Sequence, residues 1–281
     1  MVRRAFRLAY DGTAFRGFQR QPHAETVENA LFAALASLDV VAEPTAPPPG
    51  YSAAGRTDAG VSAAAQTVAF DCPDWLSPAA LNGSLPADVR AWASADAPSD
   101  FNAQYAAERR RYEYYLHAAT AGADGGWTDR RRARAQTVLD RLSGRHDFHN
   151  LTPDETGTER DLTTACERDP PFLVCAFTAS GFPREFVRRA AGLVTAVAAG
   201  DRTPGFLDRV LSTEQLDGPA GIAAADPEPL VLAAVDYGDA LAFAVDEPAA
   251  TSAWTVFEER RVTRRTGARV AERLRPERPE E

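Results

Sequence analysis

The sequence contains no lysine, so all 31 of its basic residues are arginine, against 40 acidic residues and a formal net charge of -9. Two causes can produce this bias together. One is a GC-rich genome, and the other is a cytoplasm of very high salt, where an acidic surface keeps a protein soluble. We therefore hypothesise a salt-in halophile. Long-range attraction is screened at molar salt, so the acidic total does not exclude an RNA partner that is bound by local arginine clusters. Such clusters lie at 109–111, 130–132 and 188–189.

Cysteine is also scarce, and long apolar runs are absent. The three cysteines, Cys72, Cys166 and Cys175, are odd in number and widely spaced, which favours reduced thiols in a cytoplasm over a disulfide framework. No apolar run approaches the length needed to cross a bilayer, and the opening MVRRAFRLAYDG lacks the apolar core of a signal peptide. We expect a cytoplasmic protein with no membrane partner.

Hydrophobic periodicity predicts an α+β protein. Alternating apolar positions predict strands within 5–12, 64–71, 89–97, 111–117, 171–182, 230–237 and 241–246, the last two as a hairpin. Helical spacing and caps predict helices at 26–38, 76–86, 129–143, 184–200 and 255–275, with a loop at 121–126. The order repeats itself, and this predicts two α+β halves, 1–105 and 106–247, followed by a charged helical tail, 248–281.

One short segment carries a possible catalytic group. The string AGRTDAGVSA, residues 54–63, places Arg56, Thr57 and Asp58 between two glycines. Turn chemistry alone favours a plain turn in which Asp58 caps a backbone amide and Arg56 is solvated. A carboxylate kept ionised by an arginine can also act on a sugar carbon, as in retaining glycosidases. Local sequence leaves both interpretations open.

Three other features also have an ordinary structural interpretation. Tyr112 is typical of a buried aromatic on a sheet face, and alternation places Arg111 on the opposite face of that strand. Arg188 is typical of a surface arginine on an amphipathic helix. His146 and His149 do not have the spacing of a structural zinc site, so no metal is expected. No phosphate-binding glycine loop or dinucleotide fingerprint is present.

The string AGRTDAGVSA resembles the signature of the TruA-type tRNA pseudouridine synthases, and similar segments flank it in the family's order. They are YDGT at 10–13, FRGFQRQ at 15–21, TVE at 26–28, FNA at 101–103, RRYEY at 110–114, LSGRHDF at 142–148, VR at 187–188 and LAAVDY at 232–237. The resemblance spans roughly residues 5–237. It departs from the family pattern at Phe18, Asn102, Gln104 and Phe186, and only the changes at Asn102 and Gln104 bear on RNA contacts.

The resemblance implies a fold and an activity. The fold is two similar ferredoxin- or RRM-like halves that share a mainly antiparallel central sheet flanked by helices. The activity is the isomerisation of uridine to pseudouridine at tRNA positions 38 to 40, in the anticodon stem-loop, without a cofactor. A homodimer whose basic cleft holds the tRNA is implied as well. A non-catalytic RNA-binding or folding protein on the same scaffold is the alternative function, and an acidic protein-binding module is a third.

The resemblance also assigns roles to residues. Asp58 is implied as the catalytic carboxylate and Arg188 as its ion-pair partner. Tyr112 is implied as the side chain that stacks on the target base and takes part in proton transfer. Arg56 would then be free to act on the RNA. We expect the substrate-binding residues to be Arg56, Thr57, Phe15, Gln19, Arg109, Arg110 and Arg111.

Overall fold

The computed structural model describes residues 1–117, 126–217 and 221–276. Its strands are β1 (Val2–Tyr10), β2 (Ser52–Ala53), β3 (Ser62–Cys72), β4 (Val89–Asp96), β5 (Arg109–His117), β6 (Gly144–Asp147), β7 (Glu159–Asp169), β8 (Phe172–Ala179), β9 (Leu230–Asp236) and β10 (Ala244–Val245). Its helices are α1 (Val27–Ser37), α2 (Pro78–Asn82), α3 (Asp129–Leu142), α4 (Phe186–Ala199), α5 (Phe206–Val210) and α6 (Glu247–Leu274). Of the loop expected at 121–126, only residue 126 is among the described residues. The last part of the tail, 277–281, lies outside them.

The strands form one sheet in the order β10-β4-β1-β3-β9-β5-β8-β7-β6, with β2 attached to β3. All pairs are antiparallel except β3 with β9, where Ser62 and Ala63 lie beside Val231 and Leu232. This parallel pair joins the strands that precede residue 105 to those from β5 to β9, while β10 crosses back to pair with β4. The prediction of a mainly antiparallel sheet flanked by helices is confirmed, while the domain boundaries stay a prediction.

The helices begin and end where local chemistry favours it. The Thr26 hydroxyl accepts a hydrogen bond from the Asn29 N–H at the start of α1, which satisfies one of the unpaired amides there. Helix α4 ends at Gly200, whose φ of +97° is readily adopted only by glycine. Leu31 and Leu35 of α1 and Val194 of α4 are fully buried, so both helices anchor in the core.

Two predictions about the C-terminal part are wrong. β10 does not form a hairpin with β9, because it pairs with β4 at the far edge of the sheet. The Arg7 guanidinium lies 4.2 Å from the centre of the Phe243 ring, and this contact holds the chain on its way to that edge. Helix α6 starts at Glu247 rather than 255. Residues 248–257 of this helix are uncharged, so the charge pattern did not predict its first turns.

Candidate active site

The motif segment forms a loop, residues 54–61, between β2 and β3, and it is held by backbone hydrogen bonds. The Thr57 carbonyl accepts from the Phe18 N–H at 3.0 Å, and the Phe15 carbonyl accepts from the Gly60 N–H at 3.3 Å. Within the loop, the Val61 N–H donates to the Asp58 carbonyl at 3.1 Å. Asp58 is therefore part of a turn, and that turn is fastened to the loop that follows β1.

Glycine is required where these two loops closely approach neighbouring parts of the chain. Gly60 has a φ of +83°, and a Cβ added there would lie 2.8 Å from Pro227 Cγ. Gly17 has a φ of +100°, and its added Cβ would lie 3.1 Å from the Thr57 carbonyl oxygen. A side chain at either position would push the motif loop out of place, because L-residues avoid positive φ and no space is available.

Asp58 forms an ion pair with Arg188, which lies in the first turns of α4. Arg188 Nη1 is 3.3 Å from Asp58 Oδ2, and Arg188 Nε donates to the Ala225 carbonyl at 2.7 Å. The side chains are 36% exposed for Asp58 and 19% exposed for Arg188. The arginine is thus fixed by the protein, while the carboxylate keeps a face open to the cleft.

Tyr112 lies on the same cleft, on the inward face of β5. It is 8% exposed, and its ring meets the ring of Phe182 edge to face at 5.3 Å. Burial raises the pKa of Tyr112 to about 12, with Arg110 lowering it and Asp58 raising it. The phenol therefore keeps its proton at neutral pH and is able to donate a hydrogen bond rather than act as a base.

The three consecutive arginines of β5 do not act together. Arg110 is buried, and its guanidinium donates to the carbonyls of Ala54 at 2.6 and 2.9 Å, of Gln104 at 2.7 Å, and of Ser180. Its donors thus hold the start of the motif loop rather than phosphates. Arg109 and Arg111 lie on the opposite face, where Arg111 pairs with Glu113. Strand alternation is the physical reason the structure does not bring these two to the cleft.

The remaining predicted substrate contacts divide into two groups. Arg56 and Gln19 are exposed and line the cleft. Thr57 lines it too, but its hydroxyl is buried against the Tyr10 hydroxyl at 2.8 Å. Phe15 belongs to the hydrophobic core and does not line the cleft. The first group is available to a ligand, whereas Thr57 and Phe15 support the loops that carry Asp58.

The cleft has a volume of about 1760 Å³ and contains further residues that sequence reasoning missed. Arg16, Arg160 and Arg184 line it, as does Tyr105, which is 82% exposed. Arg160 was missed because its strand, β7, was not predicted. Tyr105 follows the FNA segment closely, but no sequence pattern predicted that its side chain is exposed.

Two further observations concern metal-binding side chains and membrane-spanning helices among the described residues. Within 1–117, 126–217 and 221–276, no three His, Cys, Asp or Glu side chains are grouped so that they could hold a metal ion. In the same part of the chain, no helix combines the length and the apolar character that crossing a membrane requires.

Comparison with known proteins finds that this chain is similar to the members of one family. The family model "tRNA pseudouridine synthase" matches residues 138–238. The tRNA pseudouridine synthase A of Natronomonas pharaonis is 57% identical over 273 residues, which cover 97% of this chain and 99% of the relative. That of Haloarcula marismortui is 52% identical over 279 residues, covering 96% and 98%. This chain belongs to the tRNA pseudouridine synthase family.

These members of the tRNA pseudouridine synthase family are matched over nearly their full length. The tRNA pseudouridine synthase A of Methanosarcina acetivorans is 34% identical over 278 residues, covering 97% of this chain and 98% of the relative. The haloarchaeal family members thus share more of the sequence. This fits the salt adaptation that the absence of lysine indicated.

Proposed function

We propose that this protein isomerises uridine to pseudouridine in the anticodon stem-loop of tRNA, at positions 38 to 40. The observation that carries the proposal is the carboxylate of Asp58, which is held by Arg188 at 3.3 Å and opens onto the cleft beside Tyr112. Family membership supports the reaction on tRNA. The resemblance of the motifs supports the anticodon stem-loop and a homodimer, and the scarce, unpaired cysteines support a cytoplasmic location.

The reaction breaks the bond from C1′ to N1 of the uridine and forms a bond from C1′ to C5. A proton leaves C5 and N1 gains one, so reactant and product contain the same atoms at the same oxidation level. The reaction is therefore an intramolecular group transfer that consumes no cofactor. The target base is stacked inside folded RNA, so it must be turned out of the stack and into the cleft.

Asp58 and Tyr112 have separate roles in this proposal. The ionised carboxylate acts on the sugar, either as the nucleophile at C1′ or as the base that removes the 2′ proton, and both routes begin from the same Arg188-paired state. The detached uracil must rotate while it is held. The Tyr112 ring, fixed edge to face by Phe182, offers a surface for that rotation, and its hydroxyl keeps its proton throughout.

Arginines at the mouth of the cleft supply the RNA contacts. Arg56 is exposed and lies two residues from Asp58, so it is placed to displace the target nucleotide from its stack. Arg16 and Arg184 also line the cleft, and guanidinium groups suit phosphate oxygens. At molar salt such short contacts matter more than the net charge of the protein.

The test is the release of tritium from unmodified tRNA labelled at C5 of uridine. Asp58→Asn should reduce turnover to below about one thousandth of wild type, since a nucleophile or base that acts alone cannot be replaced by an amide. Affinity for tRNA should stay close to normal. Asp154→Asn is the matched control, because Asp154 also lines the cleft but pairs with Arg184, and it should keep activity within a few fold.

Full turnover by Asp58→Asn would contradict the assignment of Asp58. Tight binding of tRNA by the wild type without any tritium release would favour the alternative, a non-catalytic RNA-binding protein on this scaffold. Mass spectrometry after carbodiimide labelling identifies the uridines that are converted, and products outside positions 38 to 40 would contradict the proposed site specificity.

A further inference from the structure

The C-terminal half of α6 is exposed to solvent along its whole length. Every residue from 261 to 276 is exposed. The part from Val262 to the end of the helix is roughly 20 Å long at the rise of an α-helix. Between Val262 and Arg275 the sequence has five arginines and one glutamate, in a protein whose formal net charge is -9. We call this segment, 262–275, the arm.

The arm is rigidly attached at its base. Arg260 Nη1 lies 2.9 Å from Asp11 Oδ2, and Arg264 Nη2 lies 2.5 Å from the same oxygen. Asp11 is 4% exposed, and its other oxygen accepts from the N–H and the hydroxyl of Thr13. Burial raises the pKa of Asp11, but the Thr13 hydrogen bonds and the two guanidinium charges outweigh it and lower the pKa. An ionised, buried carboxylate thus fastens α6 to the turn after β1.

This base lies at the end of the sheet that carries the motif loop. The Gly12 N–H donates to the Ser62 hydroxyl at 3.0 Å, and Ser62 follows Asp58 by four residues. On the other side of the turn, Arg16 follows Thr13 by three residues and lines the cleft. The arm therefore leaves the protein beside the loops that form the candidate active site.

The arginines of the arm form a stripe. Arg265, Arg269 and Arg273 are spaced four residues apart, which places their side chains along one face of the helix. In the described part of the chain, Arg265 and Arg273 have no hydrogen-bond or ion-pair partner. Arg269 pairs with Glu272, but the two side chains are 82% and 57% exposed, and exposed pairs of this kind are weak. The stripe is available to an external polyanion.

We propose that the stripe of Arg265, Arg269 and Arg273 binds backbone phosphates of the substrate tRNA outside the cleft. The inference rests on the proposed function for the identity of the RNA. Guanidinium groups bind phosphate oxygens in a fork that a fixed helix can present in register. Since long-range attraction is screened at molar salt, an acidic protein needs such direct contacts to hold RNA.

The experiment compares tRNA binding and turnover by the full-length protein at several KCl concentrations. The triple variant Arg265→Gln, Arg269→Gln, Arg273→Gln should raise the Kd and the KM for unmodified tRNA about tenfold and change kcat less than twofold. The slope of log Kd against log salt should become shallower by about 1 for each arginine that contacts a phosphate. The matched Arg→Lys triple variant keeps the charges and should retain most of the slope.

An unchanged Kd and an unchanged salt slope in the glutamine variant would overturn the proposal. A second copy of this chain is the competing occupant, because Val262, Val270 and Leu274 are exposed on the arm. If replacing these three by serine shifts the sedimentation of the protein from dimer to monomer while the glutamine variant binds tRNA normally, the arm is a dimer contact and the proposal fails.

The two proposals fail separately. If the wild type forms no pseudouridine but the glutamine variant still weakens tRNA binding, the proposed function is wrong and the arm remains an RNA contact. If the wild type converts uridine and the glutamine variant matches it in Kd and salt slope, the function stands and the arm proposal is wrong.

Discussion

At the residue scale, Arg188 connects two parts of the site. Its Nη1 reaches the Asp58 carboxylate and its Nε reaches the Ala225 carbonyl, so one guanidinium is bound both to the motif loop and to the segment before β9. The Asp58 contact, at 3.3 Å, is longer than the 2.7–2.9 Å typical of a strong charge-assisted hydrogen bond. Asp58 is thus oriented by Arg188 while its carboxylate stays available to a substrate.

We predict that Arg188→Gln lowers kcat on the order of 100-fold with little change in KM, because the carboxylate loses the charge that orients it. Arg188→Lys should restore only part of the activity, since a single ammonium cannot bind both Asp58 and Ala225 in the same geometry. Steady-state tritium release measures both constants.

Arg189→Gln is the neighbouring control. Arg189 pairs with Glu185 and donates to the Ile222 carbonyl, away from Asp58. The Arg189→Gln variant should lower the melting temperature while its kcat stays close to that of wild type. Equal kcat for Arg188→Gln and wild type would contradict the role of Arg188.

At the element scale, the motif loop depends on close packing at one of its glycines as well as on its backbone hydrogen bonds. Gly60 combines a positive φ with contact to Pro227, whereas a Cβ added at Gly55 would find its nearest neighbour, Arg110 Nε, at 3.8 Å. The two glycines flank Asp58 and look equivalent in the sequence. Only Gly60 occupies a position that a side chain cannot enter.

Gly60→Ala should therefore destabilise the protein by roughly 1–2 kcal/mol from backbone strain alone, with an added cost for the displaced Pro227. It should also lower kcat, because the turn that contains Asp58 moves. Gly55→Ala is the matched control and should remain close to wild type in both. Thermal unfolding and tritium release measure the two effects, and equal behaviour of the two variants would contradict this account.

At the scale of the whole molecule, the site lies where the two sets of strands meet. Asp58 precedes β3, Tyr112 lies on β5, and these strands flank β9 in the sheet. Arg188 is 130 residues from Asp58 along the chain. The ion pair of Asp58 and Arg188 therefore exists only when both sets of elements are docked. Any condition that loosens the sheet at β9 should reduce activity before it unfolds the individual helices.

Salt should control that docking. With a formal net charge of -9 and no lysine, the surface repels itself when screening is weak, and the Debye length falls from about 8 Å at 0.15 M salt to about 3 Å at 1 M. We predict a melting temperature that rises between 0.2 M and 2 M KCl. A stability optimum below about 0.2 M salt would contradict the halophile hypothesis.

Local patterns predicted most of the elements. Period-two alternation indicated β1, β3, β4, β5, β8 and β9, and helical spacing with caps indicated α1, α3 and α4. β7 was missed because its sequence, ERDLTTACERD, is polar with a single buried Leu162, so alternation had little apolar contrast to reveal it. The partner of β10 was wrong because a two-residue strand does not specify which edge it joins.

The sequence by itself determined the family, the motif turn and the residue types of the candidate site, because a carboxylate between glycines and an arginine on a helix are local features. Tertiary structure decided which of them meet. It placed Arg188 beside Asp58 and turned Arg110 inward to hold the motif loop. These contacts join residues far apart in the chain, and they depend on how whole elements pack, which no local pattern records.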